Sequence, residues 1–344
     1  MTNQQCAGAL IATGVAAALA AVLRPRDRYS FENRSVLITG GSRGLGLEMA
    51  RLLASEGAAV AIAARDEAEL ARAAAQLGEH GARVITIRAD VGERGEAEKA
   101  VAEVVRQYGR VDVLVNNAGI IQVGPAEHMT LDDYELAMNV HFRGPLYTML
   151  AAVPEMRRQG GGRIVNISSI GGKIPVPHLA PYVASKFALT GLSSSLATEL
   201  ARDRIVITTV CPGLMRTGSP INATMKGQHE LEFAWFAIGD SLPFLSMDAT
   251  RAARQIIEAC RRGRAELILT VPARIAVALY GLLPSAFVEG AALANRFLPD
   301  AVGPEGDRPQ AGRDSTSTAA PSVLTRMSDK AAARNNEVVR PATA

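Results

Sequence analysis

A glycine-rich loop between a short apolar strand and an amphipathic helix most constrains the fold of this chain. Residues Ser35–Thr39 suit a buried strand, and the loop G-G-S-R-G-L-G leads into a helix that runs through Glu48–Ser55. Glycines in such a loop let backbone amides at the amino end of the helix approach a pyrophosphate. A lone glycine loop is weak evidence, but the strand before it and the helix after it make the signal specific. The pattern predicts a dinucleotide-binding α/β fold.

The alternation of strands and helices continues along the chain. Stretches with helical spacing separate short apolar runs, and the predicted strands after the first are residues 59–63, 83–88, 111–115, 163–167, 205–210 and 266–270. Strands that alternate with helices form a parallel sheet with helices on both faces. The sequence therefore predicts a doubly wound parallel sheet.

Three residues in the middle of the chain have a spacing that suits proton transfer. Tyr182 and Lys186 are four residues apart, so in a helix they share a face, and Ser169 stands thirteen residues before Tyr182. A tyrosine pKa lies near 10, and lowering it by about three units corresponds to roughly 4 kcal/mol of phenolate stabilisation. A neighbouring ammonium in a site of low dielectric can supply much of this energy, while Ser169 holds a carbonyl oxygen. For Tyr182 and Lys186 alone, the alternative is an ordinary surface pair.

These motifs together resemble those of the short-chain dehydrogenase/reductase family, in its compact single-domain branch. In chain order they are T-G-G-S-R-G-L-G, D-V, N-N-A-G, the Asn139 helix, S with Y-x-x-x-K, and C-P-G-L-M-R-T. The resemblance runs from about Ser30 to Thr270. It implies a Rossmann fold and an oxidoreductase that acts on CH–OH or C=O groups with NAD(P)(H).

The resemblance also implies roles for single residues. Tyr182 is the general acid, Ser169 orients the carbonyl oxygen, Lys186 lowers the tyrosine pKa and holds the nicotinamide ribose, and Asn139 keeps a relay water near Lys186. The residues implied in cofactor binding are Gly40, Ser42, Arg43, Gly44, Leu45, Gly46, Arg65, Asp90, Val91, Asn117, Ala118, Gly119, Tyr182, Lys186, Pro212, Gly213 and Thr217. For Asn117, Ala118 and Gly119 a structural role is an equal alternative.

The end of the second strand bears on the choice of cofactor. NAD-preferring proteins usually place an acid there, and this chain has Ala64 followed by Arg65. Arg43 lies in the glycine loop, and two guanidiniums near one ribose suit a 2′-phosphate. The sequence thus favours NADP(H) over NAD(H). Solvent-facing arginines are the alternative, and Asp66 weakens the distinction.

Composition excludes several other classes of protein. The net charge is +3, without the concentrated basic face of a nucleic-acid binder. Cys6, Cys211 and Cys260 are odd in number and widely spaced, so neither a disulfide framework nor a zinc site is indicated. No other grouping of His, Asp or Glu has metal-ligand spacing, and His141 is interpreted as structural.

Both ends of the chain lie outside the resemblance. Residues 7–23 carry no charge and span about 26 Å as a helix, so residues 1–28 are expected to be a membrane anchor with a basic flank. A peripheral helix and a signal peptide are the alternatives. Residues 29–271 form the catalytic domain, residues 272–298 an apolar extension that rests on the membrane as a helix pair, and residues 299–344 a disordered tail.

The segment 218–247 concentrates aromatic residues and predicts a lid over the substrate. Phe233, Trp235, Phe236 and Phe244 suit an apolar wall, with packing of the lid against the core as the alternative. His178 is interpreted as a loop residue, with substrate contact as an alternative. The helix after Tyr182 has an apolar face that suits either a homo-oligomer interface or the core.

The sequence as a whole predicts a membrane-associated NADPH-dependent reductase on the cytoplasmic side, acting on a lipophilic ketone such as a 3-oxoacyl chain, a keto-sphingoid base or a sterol. The alternatives are an NAD(P)-dependent alcohol dehydrogenase that works in the oxidative direction and a non-catalytic NADP(H) sensor at the membrane.

Overall fold

The computed structural model describes residues 28–79, 82–242, 246–322 and 325–338, and a seven-stranded sheet lies at its centre. The strands are β1 Ser35–Thr39, β2 Ala59–Ala64, β3 Val84–Arg88, β4 Val113–Asn116, β5 Gly162–Ile167, β6 Ile205–Cys211 and β7 Glu266–Ile268. Their order is β7-β6-β5-β4-β1-β2-β3, and every pairing is parallel. From β1 the chain first adds β2 and β3 on one side, and then adds β4 and the later strands on the other side. Doubly wound proteins bind ligands at the switch point between β1 and β4. The predicted Rossmann sheet is confirmed.

Helices cover both faces of the sheet. They are α1 Gly44–Ser55, α2 Glu67–Gly78, α3 Arg94–Tyr108, α4 Leu131–Met138, α5 Gly144–Arg158, α6 Ala180–Leu200, α7 His229–Ser241, α8 Ala249–Arg262, α9 Val271–Leu282, α10 Pro284–Asn295 and α11 Arg326–Arg334. Successive residues of β1 point to opposite faces, so Val36 and Ile38 pack with α1, α2 and α8, whereas Leu37 packs with α3, α5 and α6. Because both faces are covered, all five residues of β1 are buried.

The predicted helix that contains Asn139 is interrupted by a π-helical turn. This turn spans Asn139–Arg143 and separates α4 from α5, which begins at Gly144. Pro145 lies in the first turn of α5, where its missing N–H is tolerated, and Pro154 lies inside the helix. The interruption therefore falls at Asn139 and not at a proline. Such single π-turns occur frequently at functional sites.

A helical hairpin follows the last strand of the sheet. α9 and α10 pack on each other, and Pro284 begins the second helix, in agreement with the expected helix pair. The hairpin leaves many large apolar side chains exposed: Val271, Ile275, Leu279, Leu282, Leu283, Val288, Leu293 and Phe297. In the described part of the chain, no helix is both long enough and apolar enough to cross a bilayer. The anchor predicted over residues 7–23 lies outside the described residues.

The expected disorder of residues 299–344 is corrected by the structure. Gln310–Ala311 forms a short strand antiparallel to Thr224–Met225, and α11 lies farther along the tail. This part of the chain is buried through small and polar side chains such as Ala320 and Asn335, each 0% exposed. Because large apolar residues are rare in it, its composition resembles that of a disordered segment although long-range hydrogen bonds hold it in place. Residues 339–344 lie outside the described part.

Candidate active site

The carboxyl ends of the central strands open into a cleft of about 710 Å³. This volume is within the range of cofactor and ligand pockets. Most of the residues predicted to bind a dinucleotide line it: Gly40, Ser42, Arg43, Gly44, Leu45, Arg65, Asp90, Val91, Asn117, Ala118, Gly119, Tyr182, Lys186, Pro212, Gly213 and Thr217. Ser169 lines it as well, whereas Gly46 and Asn139 do not.

The glycine loop is fixed by backbone contacts that leave no room for side chains. Gly40 has a φ of +64°, and a Cβ on it would lie 2.8 Å from the Cα of Ala118. A Cβ on Gly46 would collide with the carbonyl oxygen of Gly40. The side-chain amide of Asn117 donates to the carbonyls of Thr39 and Gly40, at 3.1 and 3.0 Å. Asn117 and Gly46 therefore support the loop, which is the structural role that the sequence left open for Asn117.

Ser169, Tyr182 and Lys186 meet at one end of the cleft, next to the end of β5. The Lys186 amine donates to the carbonyl of Ile167 at 2.9 Å and lies 5.6 Å from the centre of the Tyr182 ring. Ser169 hydrogen-bonds to the Tyr182 hydroxyl, which lowers the phenol pKa. The structure thus brings the three residues together in the cleft, as their spacing predicts.

The pKa values of this pair differ from the expected effect of a nearby ammonium. Burial raises the pKa of the Tyr182 hydroxyl to about 12, and the hydrogen bond from Ser169 only partly opposes it. Burial also lowers the pKa of Lys186 to about 7. The amine bonds to a backbone carbonyl and not to the phenol, so desolvation dominates both groups and favours their neutral forms. Burial is thus the largest influence on the pKa of both groups here, and the role that the resemblance implies for Lys186 stays a prediction.

A buried histidine, interpreted from sequence as structural, orients the tyrosine. His141 is 1% exposed, and its ring meets the Tyr182 ring edge-on with centres 5.2 Å apart. Its Nε2 accepts from the Ile120 amide at 3.1 Å, so its Nδ1 carries the proton and donates to the Ser185 hydroxyl at 2.8 Å. Ser185 in turn donates to the Tyr182 carbonyl at 2.8 Å. Burial holds the pKa of His141 well below its usual value, so the imidazole is neutral.

Asn139 does not join this group through its side chain. It is partly exposed in the π-turn, and its Oδ1 accepts from the guanidinium of Arg143, one turn farther along. This oxygen of the Asn139 side chain is thus paired with Arg143. The role that the resemblance implies for Asn139, which acts on Lys186 through a water, stays a prediction.

An acid that no sequence motif marks lies beside Ser42 and Arg43 of the glycine loop. Glu69 of α2 accepts from the Ser42 hydroxyl at 3.0 Å and pairs with Arg43 at 3.1 Å. Asp66 accepts from the Glu69 amide and so caps α2. Arg65 lies 3.8 Å from Asp90. A 2′-phosphate would therefore compete with Glu69 for Arg43. Glu69 lies five residues past the usual acid position, so no local motif marks it.

The lid side of the cleft combines apolar packing with a buried polar network. Phe233 and Phe236 of α7 are 4% and 6% exposed and pack in one apolar cluster, so the lid packs against the domain. Glu232 accepts from the Trp235 indole at 2.6 Å and bonds to His178 at 2.8 Å. His178 is thereby a structural residue of the loop. Phe244 lies outside the described residues.

No metal site is present in the described ranges. They contain no group of three His, Cys, Asp or Glu side chains placed to hold an ion. Cys211 and Cys260 are free thiols, and burial raises the pKa of each to about 12. Neither is activated as a nucleophile, because a thiol needs a depressed pKa for that role.

Comparisons with known proteins agree with this geometry. A family model described as short chain dehydrogenase matches residues 34–226. An oxidoreductase of Thermotoga maritima, named as uncharacterized, is 39% identical over 184 residues, which is 54% of this chain and 72% of that protein. Dehydrogenase/reductase SDR family member 4 of Sus scrofa is 36% identical over 191 residues, 55% of this chain and 68% of that protein.

A solved structure gives the same result for the fold. L-sorbose reductase from Gluconobacter frateurii, complexed with NADPH and L-sorbose, superposes with a TM-score of 0.63 at 26% identity, over 70% of this chain and 95% of that one. The family model covers more than half of the chain, and the cleft holds the serine, tyrosine and lysine that the motifs place together. The chain belongs to the short-chain dehydrogenase/reductase family of oxidoreductases that act on CH–OH and C=O groups.

Proposed function

We propose that this protein is a membrane-associated, NADPH-dependent reductase of a lipophilic ketone. The convergence of Ser169, Tyr182 and Lys186 at the end of β5, beside a glycine loop, is the observation that carries the proposal. Bound NADPH would supply the hydride that reduces the carbonyl carbon.

The residues of the cleft would then handle the carbonyl oxygen and its proton. Ser169 and Tyr182 share a hydrogen bond, so a carbonyl oxygen between them would accept from both hydroxyls. Tyr182 transfers its proton to that oxygen as negative charge develops there. Lys186 lies one helical turn away, and its protonated amine would stabilise the resulting phenolate. The ring of His141 packs edge-on against the Tyr182 ring and holds it in place. The products are an alcohol and the oxidised cofactor.

Arg43 and Arg65 support NADPH as the cofactor. Both line the cleft at the end that would hold the adenosine ribose, and a guanidinium pairs well with phosphate oxygens. Glu69 supports the second candidate, an NAD(P)-dependent dehydrogenase that works in the oxidative direction. Its carboxylate bonds to Ser42 and would suit the free hydroxyls of an NAD ribose.

The α9–α10 hairpin supports attachment to a membrane. Leu282 in the hairpin is 77% exposed and Phe297, two residues after its end, is 85% exposed, which is unusual for large apolar side chains that face water. With the apolar segment 7–23 it would hold the catalytic domain on the cytoplasmic side, next to substrates dissolved in the bilayer. A homo-oligomer is also proposed, because Leu150 of α5 and Phe187 of α6 are exposed at 59% and 39%.

The test is a panel of carbonyl compounds with the purified full chain and NADPH. The panel contains a long-chain 3-oxoacyl ester, a keto-sphingoid base, a sterol ketone and a small water-soluble ketone, with NADPH absorbance and product analysis as readouts. We expect reduction of at least one lipophilic member and a loss of about 10²- to 10⁴-fold in kcat for Tyr182→Phe.

A matched control removes another tyrosine hydroxyl. Tyr108 donates to the carbonyl of Val60 at 3.1 Å and does not line the cleft. Tyr108→Phe should therefore keep its activity within about twofold while losing a comparable hydrogen bond, worth about 1 kcal/mol of stability. Equal activity of Tyr182→Phe and wild type would refute the proposed chemistry, and reduction of the water-soluble ketone alone would refute the substrate class.

A further inference from the structure

A segment near the carboxyl end of the chain returns to the glycine loop. We call residues Asn335–Glu337 the clasp. The Gly44 amide, at the start of α1, donates to the carbonyl of Asn335 at 2.9 Å. The Asn336 side chain donates to the carbonyls of Ser42 at 2.8 Å and Glu69 at 3.2 Å. An amide that the family fold uses for phosphate is thus already bonded to the chain itself.

The carboxylate of Glu337 lies at the amino end of α1. It is 3.4 Å from the Arg43 guanidinium and accepts from the Asn222 side chain at 2.7 Å. A Cβ on Gly44 would lie 2.7 Å from this carboxylate, so the two are in contact. An anion held between an arginine and the positive end of a helix dipole takes the place that a phosphate would take.

The clasp is buried and anchored on both sides of the cleft. Asn335, Asn336 and Glu337 are 0%, 4% and 8% exposed. The Asn335 side chain donates to the carbonyl of Thr217, on the lid side, at 3.0 Å. On the other side, the Arg72 guanidinium donates to Asn336 at 2.9 Å. The clasp therefore bridges the glycine loop and the lid across the line where the dinucleotide would lie.

Burial of the Glu337 carboxylate in the clasp is unfavourable, which makes the clasp easier to displace. Burial raises the pKa of the Glu337 carboxyl to about 7, and Arg43 only partly opposes this. A charged carboxylate is thus held less well here than in water near neutral pH. A pyrophosphate carries more charge than a single carboxylate, and it would use the same amide and the same guanidinium.

We propose that the clasp occupies the phosphate position of the dinucleotide site and that a bound dinucleotide displaces it. The clasp is then a competitive inhibitor built into the chain, which sets the concentration of cofactor that is needed for activity. The inference rests on the binding of a dinucleotide in this cleft and not on the identity of the carbonyl substrate.

The test compares the affinity for NADP⁺ of the full-length chain and of two variants, by titration calorimetry at fixed salt. Asn336→Ala removes the bonds to Ser42, Glu69 and Arg72 without a change of charge, and it should bind about tenfold more tightly than wild type. Asn295→Ala changes an exposed asparagine at the end of α10 and should bind like wild type.

Hydrogen exchange on the wild-type chain gives an independent readout. Peptides that cover residues 326–338 should exchange faster in saturating NADP⁺, whereas peptides of β1 should not change. Slower exchange of residues 326–338 would overturn the proposal, because the clasp would then close over the cofactor. Unchanged or weaker affinity of Asn336→Ala would also overturn it. Both measurements are free of carbonyl substrate, so they separate failure of the clasp from failure of the proposed reductase activity.

Discussion

The amine of Lys186 is buried and, among the described residues, donates to the backbone carbonyl of Ile167, and its removal should stabilise the fold. The residue is 4% exposed, and burial lowers its pKa from 10.5 to about 7. A shift of about 3.5 units corresponds to roughly 5 kcal/mol of cost for the protonated form in the folded chain. Between these two pKa values the unfolded chain binds more protons than the folded one. The stability of the wild type should therefore rise with pH in this window.

The substitution Lys186→Met keeps an unbranched side chain and removes the titration. Linkage gives the variant an advantage of about 4 kcal/mol near pH 7 and of about 2 kcal/mol near pH 9. The lost bond to Ile167 offsets about 1 kcal/mol of this at both pH values. The advantage of the variant should therefore differ by roughly 2 kcal/mol between the two pH values. This difference does not depend on the lost bond, because its loss costs the same at both pH values.

Urea unfolding of the full chain without cofactor, near pH 7 and near pH 9, measures the difference. The same variant should lose at least about 100-fold in kcat, so stability and activity would move in opposite directions. Lys99 is exposed on α3, and Lys99→Met should change stability by less than about 0.5 kcal/mol at either pH. The reasoning is refuted if the advantage of Lys186→Met is the same at both pH values or grows with pH.

Three further predictions concern the glycine loop and its partners. Gly46→Ala should lower NADP⁺ affinity at least about tenfold and destabilise the fold by about 1–3 kcal/mol, because its Cβ would collide with the glycine loop. The control Gly95→Ala, with open space around it on α3, should stabilise the fold by about 0.5–1 kcal/mol. Calorimetry measures the affinity, and urea unfolding measures the stability of both variants. Glu69→Gln should raise the ratio of NADP⁺ to NAD⁺ affinity about tenfold, because Arg43 loses a competing anion; an unchanged ratio would contradict this. Burial raises the pKa of the Glu337 carboxyl, with Arg43 opposing the shift and Glu69 adding to it, so protonation favours the closed clasp. Wild-type NADP⁺ affinity should therefore rise about tenfold from about pH 6 to about pH 8, whereas the affinity of Glu337→Gln should stay nearly constant and be weaker than that of wild type near pH 8.

Local patterns predicted the sheet and the elements around the glycine loop. Hydrophobic runs placed β1 at the residues where the structure has it, and the other strands within about two residues. The spacing of Tyr182 and Lys186 also predicted their common helix face, because four residues make about one turn. Such features depend on neighbours in sequence, so a single chain is enough to find them.

The parts that sequence analysis missed depend on contacts between distant residues or on burial. Asn336 bonds to Ser42 across 294 positions, and no periodicity marks either residue as a partner. The pKa values of Tyr182 and Lys186 follow from desolvation, which their spacing does not reveal. The orientation of the Asn139 side chain depends on Arg143 and on the π-turn, and a motif match does not report a rotamer.

The α9–α10 hairpin contacts the loop that follows β6, so the position of the hairpin and the shape of the cleft are coupled. A Cβ on Gly213, which lines the cleft, would lie 3.1 Å from the Thr270 hydroxyl and 3.5 Å from Ala273. The first turn of α9 therefore bears directly on the loop after β6. A tilt of the hairpin would displace this loop, so that the shape of the cleft would depend on the orientation of the hairpin relative to the sheet.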